Sequence, residues 1–167
     1  MKLLPIKFNR GQETTHTQVD DDLYDELSKH SWKMKGTGYV GRSTRKGEGK
    51  CRWLLLHRVI MNCPREMIID HIDGDPLNNQ KNNLRICHQY ENARNSTCKA
   101  RNNTSGYKGV YQPRPDSTSC WSAQISLNRK VIPLGLYSRI EDAAWAYNQA
   151  AKELYVEFAR LNEVPDW

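Results

Sequence analysis

The chain has 167 residues, a formal net charge of +6 and a sequence pI of about 9.1. Its mean hydropathy of −0.82 is low, but 38% of its residues are hydrophobic, which excludes wholesale disorder. No apolar run approaches the roughly 18–20 residues of a membrane span, and the N-terminal MKLLPIKFNR has too short an apolar core for a signal peptide. These features predict a cytoplasmic protein without a membrane partner.

The basic residues are concentrated in one part of the chain. Nine Lys or Arg residues lie between Lys29 and Arg58, where Glu48 is the only acid, whereas residues 101–167 carry eight basic and seven acidic groups. Such a segment favours an anionic partner such as nucleic acid, but a solvated basic surface explains it equally well. The five cysteines include no C-x-x-C pair, so neither a zinc site nor a disulfide framework is expected.

The first half predicts short helices and strands in a mixed order. VDDDLYDELSKHSW has acids in its first turn, as the helix dipole prefers. Two strand-like runs around a basic, glycine-containing turn predict a hairpin. An apolar run then leads into Asp70 and His71, and a loop rich in turn formers follows. The predicted elements are a helix over Val19–Trp32, strands over Gly38–Ser43, Lys50–Leu56, Met67–Ile69 and Leu84–Cys87, and a helix over HQYENARNS.

A polar run without large apolar residues, NSTCKARNNTSG, predicts a linker between two modules. We place the first module over residues 1–95, the linker over 96–106 and the second module over 107–167. The second module contains three predicted strands, YKGVYQP, CWSAQISL and KVIPLGLY, with LNRK as a turn. A helix over SRIEDAAWAYNQAAKELY follows, with a predicted capping box formed by Ser138 and Glu141.

The middle strand of the second module alternates between apolar and polar residues, which predicts one packed and one wet face. Its apolar set is Trp121, Ala123, Ile125 and Leu127, and its polar set is Ser122, Gln124 and Ser126. The helix carries an apolar stripe that can cover the packed face, and its alanines allow close approach to the sheet. The stripe consists of Ile140, Ala143, Ala144, Tyr147, Ala151 and Leu154.

Four polar residues of the first module can be brought together by a strand–loop–strand–helix unit: Asp70, His71, Asn83 and Asn92. Neighbours on a strand point to opposite faces, so Asp70 and His71 serve different parts of any shared site. Carboxylate and amide oxygens suit a hard cation such as Mg²⁺. An imidazole with an ordinary pKa of about 6.5 can accept a proton near neutrality. A purely structural role for the Asp70-His71 pair is the alternative.

The segment HRVIMNCPREMIIDHIDGDPLNNQKNNLRICHQYENARN (residues 57–95) resembles the HNH homing endonucleases of phages and mobile introns, in the subgroup with Asn at the third position. The resemblance implies a ββα-metal core acting on double-stranded DNA in the host bacterial cytoplasm. It implies that His71 is the general base and that Asn83 positions His71. Asp70 and Asn92 would then bind one divalent ion, Mg²⁺ or Mn²⁺, and no zinc is expected.

The second module resembles the plant ethylene-response-factor (Apetala-two) DNA-binding domain in YKGVY, WSAQI, LGLY, EDAAWAYNQAA and ARLN. That resemblance implies a three-stranded antiparallel sheet that is laid into the major groove and backed by one helix. The sequence departs from the plant pattern, because Tyr111, Pro113 and Pro133 stand where plant members carry arginines and tryptophan. The base sequence recognised therefore does not transfer.

The combined prediction is an α+β protein: a ββα-metal nuclease core followed by a small sheet packed on one helix, acting as a monomer or homodimer. The alternative is a DNA-binding regulator on a catalytically silent nuclease scaffold. The predicted DNA-binding residues are Lys35, Arg42, Arg45, Lys46, Lys50, Arg52, Arg58, Arg85, Lys108, Tyr111, Arg114, Ser122, Gln124, Ser126, Arg129 and Lys130.

Overall fold

The computed structural model describes residues 1–8, 14–34, 36, 38–46, 50–95, 103–113 and 120–165, with the backbone alone at positions 45, 46 and 50. Two of the predicted DNA-binding residues, Lys35 and Arg114, lie outside these ranges, as does most of the predicted linker. The chain divides into two compact units, Met1–Asn92 and Ala93–Trp167. No helix within the described ranges is long and apolar enough to cross a membrane.

The first unit is built on a five-stranded sheet in the order β2-β1-β3-β4-β5. Its strands are β1 (Lys2–Phe8), β2 (Thr14–Val19), β3 (Trp32–Met34), β4 (Val40–Lys46) and β5 (Lys50–Leu55). Helix α1 (Asp21–Ser28) connects β2 to β3, and the short helix α2 (Leu56–Ile60) follows β5. The predicted helix and the β4–β5 hairpin are therefore present, with α1 shorter than predicted.

The sequence did not predict β1 or β2. Pro5 interrupts β1, and a proline inside an apolar run argues against a strand because it lacks an N–H for the ladder. The strand forms because Leu4 and Ile6 point into the core, and β3 pairs with β1 only from Ile6 onwards. The core of the sheet consists of Leu4, Ile6, Val19, Leu27, Trp32, Val40 and Leu56.

A two-stranded antiparallel ribbon follows in the same unit, formed by β6 (Ile68–His71) and β7 (Leu84–Cys87). A single 3₁₀ turn over Lys81–Asn83 leads into β7, and helix α3 (Gln89–Asn95) begins directly after it. The predicted strand–loop–strand–helix order is therefore present. Asn83 lies at the end of the 3₁₀ turn, immediately before the strand.

The second unit contains a three-stranded antiparallel sheet in the order β10-β9-β8. The strands are β8 (Val110–Tyr111), β9 (Trp121–Leu127) and β10 (Lys130–Tyr137). Asn128 and Arg129 form the turn between β9 and β10, both with positive φ, as the hairpin twist requires. Helix α4 (Ile140–Tyr155) packs on the sheet through Ala143, Ala144, Tyr147 and Ala151, as the apolar stripe predicts.

Two predictions for this unit are wrong in detail. Helix α4 starts at Ile140 with Arg139 as its N-cap, so Ser138 lies outside the helix and the predicted capping box does not form. Ser122 is only 8% exposed although it belongs to the polar set of β9. Its two neighbours across the sheet are Tyr111 and Leu136, and these large side chains flank the small serine and cover it.

Candidate active site

Asp70 lies opposite Arg85 in the register of β6 and β7, so both side chains project from the same face of the ribbon. Arg85 donates from Nε (2.8 Å) and from Nη2 (2.5 Å) to Asp70 Oδ2. The Arg85 side chain is 14% exposed and the Asp70 side chain is 6% exposed. The predicted metal ligand is therefore a buried carboxylate held in place by a cross-strand cation, and Arg85, predicted to bind DNA, holds it.

His71 projects from the opposite face of the ribbon and lies in an aromatic cluster. Its ring centroid is 5.3 Å from that of His57 in an edge-on arrangement and 6.0 Å from that of Tyr39. Both histidines are 5% exposed. Burial lowers the pKa of His71 below its ordinary value, although the Asn79 side chain and the carboxylates of Asp73, Asp70 and Asp75 act to raise it. The imidazole is therefore held in its neutral, proton-accepting form.

The sequence did not predict a role for His57 beyond packing or a phosphate contact. Burial, with smaller contributions from His71 and Arg58, lowers the pKa of His57 to about 4. Two neutral imidazoles side by side avoid the repulsion that two buried cations would experience. His57 is thus an uncharged ring that packs against His71.

Asn83 stabilises the loop between the two strands of the ribbon. Its amide nitrogen donates to Asp73 Oδ1 (2.9 Å) and to the carbonyl of Asn78 (2.8 Å), and its Oδ1 accepts from the backbone N–H of Asp73 (3.1 Å). Burial opposes ionisation of Asp73, but donors from Asp75, Asn83 and Asn78 hold the pKa of its carboxyl below the ordinary value. These contacts brace the loop, and the predicted direct hold of Asn83 on His71 stays a prediction.

Asn92 lies in α3, half-buried, close to the Cys87 thiol at the end of β7. Burial raises the pKa of Cys87 to about 11, and the Asp70 carboxylate adds to the rise, whereas the backbone N–H of Asn92 acts to lower it. Cys87 lies two residues after Arg85 and shares its face of the ribbon. The Asp70 carboxylate and the backbone N–H of Asn92 therefore both lie near Cys87, while His71 projects from the other face of the ribbon.

The predicted metal ligands are of a type that suits a hard cation, since the Asp70 carboxylate and the Asn92 side-chain amide each offer oxygen. No group of three or more His, Cys, Asp or Glu side chains that could hold a metal ion occurs in the described ranges. A site formed by Asp70 and Asn92 would leave most of the coordination sphere to water and substrate, which is usual for Mg²⁺. The chemistry of these two residues therefore fits a weakly held divalent ion.

Asn79 was not predicted as a site residue, since it belongs to a run of turn formers. It is only 1% exposed, and its side chain lies between the loop and strand β2. Its amide nitrogen donates to Thr17 Oγ1 (2.8 Å) and to the carbonyl of Pro76 (3.1 Å). Because the register between the loop and β2 buries it, no local sequence pattern identifies Asn79.

Several predicted DNA-binding residues make contacts within the protein. Arg58 donates to the carbonyls of Met67 (2.9 Å), Cys63 (3.2 Å) and Pro64 (2.6 Å). Arg42 is half-buried, with its guanidinium 5.6 Å from the Trp32 ring centre. These contacts give Arg58 and Arg42 a structural role, and their predicted contacts with DNA stay predictions.

Two predicted DNA-binding residues of the second unit are likewise bonded or buried within the protein. Lys108 Nζ donates to the carbonyl of Arg94 (2.5 Å), and burial lowers the pKa of Lys108. Ser122 is buried, as described above. The remaining predicted residues whose side chains are described are exposed or half-buried: Arg52, Tyr111, Gln124, Ser126, Arg129 and Lys130.

Comparison with known proteins identifies the family. The sequence model of the HNH endonuclease family matches residues 55–94, the segment that holds α2, the ribbon and most of α3. An uncharacterized HNH endonuclease of Acanthamoeba polyphaga mimivirus is 30% identical over 156 residues, 90% of this chain and 76% of that protein. Protein 3.8 of Escherichia phage T7 is 34% identical over 98 residues, 59% of this chain and 78% of that protein. The chain belongs to the HNH endonuclease family.

No solved structure matches the chain significantly. The match to the mimivirus protein covers so much of the chain that it includes most of the second unit, whereas the family model ends at residue 94. The family assignment therefore rests on the mimivirus relative, and the family model places the matching segment at residues 55–94. The resemblance of the second unit to the plant domain stays a prediction.

Proposed function

We propose that this protein is a divalent-metal-dependent DNA endonuclease of homing type, in which His71 activates the attacking water. The observation that carries the proposal is the placement of Asp70 and His71 as buried neighbours on opposite faces of β6. This arrangement supports a division of labour, with a ligand on one face and a base on the other. The family match over residues 55–94 supports the reaction class.

The proposed reaction is hydrolysis of a phosphodiester. His71 accepts a proton from a water molecule, the oxygen of that water bonds to phosphorus, and the bond from phosphorus to the 3′ oxygen breaks. The lowered pKa of His71 supports this role, because the imidazole is unprotonated at neutral pH. His57 and Tyr39 limit the rotation of the ring, which favours one direction of proton transfer.

Asp70 and Asn92 are the residues that would hold the divalent ion. When bound, such an ion neutralises charge on the phosphate and on the departing oxygen. Arg85 orients the Asp70 carboxylate through two hydrogen bonds to one oxygen. Its guanidinium also supplies positive charge beside the proposed position of the phosphate. Asn83 contributes by holding the loop that connects the two catalytic strands.

The second unit is proposed to hold the DNA target. Its three-stranded sheet is backed by α4 on one face, and the other face exposes Tyr111 and Ser126 with Gln124 half-buried between them. Arg129 and Lys130 lie at the exposed end of the β9–β10 hairpin, where they can contact phosphates without reading sequence. These exposed residues support a role for the second unit in choosing the DNA target, separate from the cleavage step in the first unit.

Incubation of supercoiled plasmid carrying a candidate target with Mg²⁺, Mn²⁺ or EDTA tests the proposal. We expect metal-dependent nicking or linearisation by the wild type, and loss of cleavage in His71→Ala with DNA binding retained. Asn128→Gly, at an exposed hairpin turn far in sequence from the catalytic strands, is the matched control and should cleave normally. Equal binding without cleavage under any of the divalent ions would instead identify a DNA-binding regulator on a silent scaffold.

A further inference from the structure

Asn79 and Thr17 connect strand β2 to the loop that follows His71. Thr17 Oγ1 donates to the carbonyl of Leu77 (2.6 Å) and accepts from Asn79 Nδ2 (2.8 Å). The backbones are joined as well, because Gln18 N donates to Leu77 O (2.8 Å) and Asn79 N donates to Gln18 O (2.9 Å). Thr17 is fully buried, and Asn79 is nearly so. Strand β2 and the loop are therefore joined by buried hydrogen bonds of both side chains and backbone.

The hydrogen bonds of Asn79 fix which way its amide points. Its two N–H groups donate to Thr17 Oγ1 and to Pro76 O, which uses both donors of the amide nitrogen. The carbonyl oxygen Oδ1 is therefore directed away from these partners. It is shielded from solvent and accepts no hydrogen bond of standard geometry within the part of the chain that the structure describes. A buried amide oxygen in this condition is costly unless a donor approaches it.

The nearby group that can supply such a donor is the His71 imidazole. The Asn79 side chain is in hydrogen-bonding contact with this imidazole, and His71 Nε2 is shielded from solvent, as Asn79 Oδ1 is. Hydrogen bonds around a catalytic group are often long or bent before substrate binds, and they tighten as charge develops. The contact between Asn79 and His71 fits that description.

We propose that Asn79 is the residue that orients the His71 ring, and that Thr17 of the N-terminal sheet fixes Asn79 in the orientation required. This inference rests on the proposed nuclease function for its kinetic consequences but not for its structural ones. Asn79 is a positioning residue, because it acts on the reaction through His71. Asn83, to which the HNH resemblance assigns this task, braces the neighbouring loop through Asp73 and Asn78.

The proposal gives the N-terminal sheet a defined part in catalysis. Thr17 and His71 are far apart in sequence, and one buried amide connects them. Removal of the Thr17 hydroxyl should therefore loosen the His71 ring, although residue 17 lies on a different sheet from the base. A methyl group in place of that hydroxyl preserves the volume of the site and removes one acceptor and one donor.

The test compares Asn79→Leu, Thr17→Val and Thr17→Ser in the full chain, with Asn148→Leu as the matched control. Asn148 is a buried amide of the second unit that exchanges two hydrogen bonds with the backbone of Asn162, so its loss costs similar interactions elsewhere. We expect kcat for plasmid cleavage to fall about 10–100-fold in Asn79→Leu, as for other residues that orient a catalytic ligand. KM should be unchanged, Thr17→Val should show a smaller loss, and Thr17→Ser should restore wild-type rates.

A second readout does not depend on cleavage. The ring ¹⁵N signals of His71, assigned by comparison with His71→Gln, should change in Asn79→Leu and Thr17→Val and stay at their wild-type positions in Thr17→Ser and Asn148→Leu. Unchanged His71 signals in folded Thr17→Val and Asn79→Leu would overturn the proposal, as would an equal loss of kcat in Asn148→Leu. If the wild type cleaves no DNA, the nuclease function fails, while the ring signals still decide the role of Asn79.

Discussion

Arg85 donates two hydrogen bonds to Asp70 across the β6–β7 ribbon, and together they form a buried ion pair at the centre of the family segment. The pairing follows from the register, which sets the two residues directly opposite each other. A guanidinium can reach one carboxylate through two nitrogens at once, which fixes direction as well as charge. The position of the proposed metal ligand is therefore set by a residue from the neighbouring strand.

Removal of Arg85 should destabilise the protein strongly. In Arg85→Leu the Asp70 carboxylate stays buried without its cation, and breaking a buried pair in this way costs about 3–5 kcal/mol. The double variant Asp70→Leu/Arg85→Leu should regain most of that loss, because no uncompensated charge is left. Urea unfolding of the wild type, Arg85→Leu and the double variant measures the differences in the free energy of unfolding. Equal destabilisation in the single and double variants would mean that the pair contributes through packing alone.

His57 should make the stability of the first unit depend on pH. The pKa of His57 is lowered to about 4 by burial, His71 and Arg58, whereas an unfolded histidine titrates near 6.5. Between those values the unfolded chain binds a proton that the folded chain does not, so stability falls as pH drops from about 6.5 to about 4. The loss amounts to about 3 kcal/mol and is absent above pH 7.

The measurement is the urea midpoint of the wild type and of His57→Phe between pH 4 and pH 7. Phenylalanine keeps a flat ring against His71 and Tyr39 but cannot bind a proton. As pH drops from 7 to 4, the stability of the wild type should therefore fall relative to that of His57→Phe, by up to about 3 kcal/mol. His71 has a lowered pKa as well, so part of the pH dependence should remain in the variant. Parallel curves would exclude His57 as a source of the effect.

Arg58 and Arg52 should behave differently although both were predicted to bind DNA. Arg58→Lys should lose on the order of 2 kcal/mol of stability, since a single ammonium cannot reach the three carbonyls that the guanidinium binds. Arg52 is exposed, so Arg52→Ala should leave stability unchanged. If Arg52 contacts a phosphate, its removal reduces the salt slope of DNA binding by about 1. A change in salt slope for Arg58→Lys with no loss of stability would reverse this assignment.

Gln124 should influence which DNA site is cut more than it influences the rate. It lies half-buried on β9, on the face of the sheet away from α4, which is the face proposed to hold DNA. Ser122→Ala is the matched control on the same strand and face, because Tyr111 and Leu136 cover that serine. We expect Gln124→Ala to alter the distribution of cleavage sites and Ser122→Ala to leave it unchanged. Unaltered sites in Gln124→Ala would exclude base readout at this position.

The sequence by itself determined many of the local elements and the family of the protein. The helix stripe of α4, the hairpin formed by β4 and β5, and the order of strand, loop, strand and helix around Asp70 all follow from short-range patterns. The spacing of Asp70, His71, Asn83 and Asn92 pointed to the family, which the comparisons identify. These features are encoded locally, because periodicity and turn chemistry need only neighbouring residues.

Only the tertiary structure decided which polar residues are available and which are bound. Charge and alternation patterns predict exposed polar side chains at four positions that are in fact bonded or buried within the protein: Arg58, Lys108, Arg85 and Ser122. The buried connection from Thr17 through Asn79 joins residues more than sixty positions apart. Long-range register determines burial, and burial determines whether a polar group contacts solvent, substrate or the protein itself.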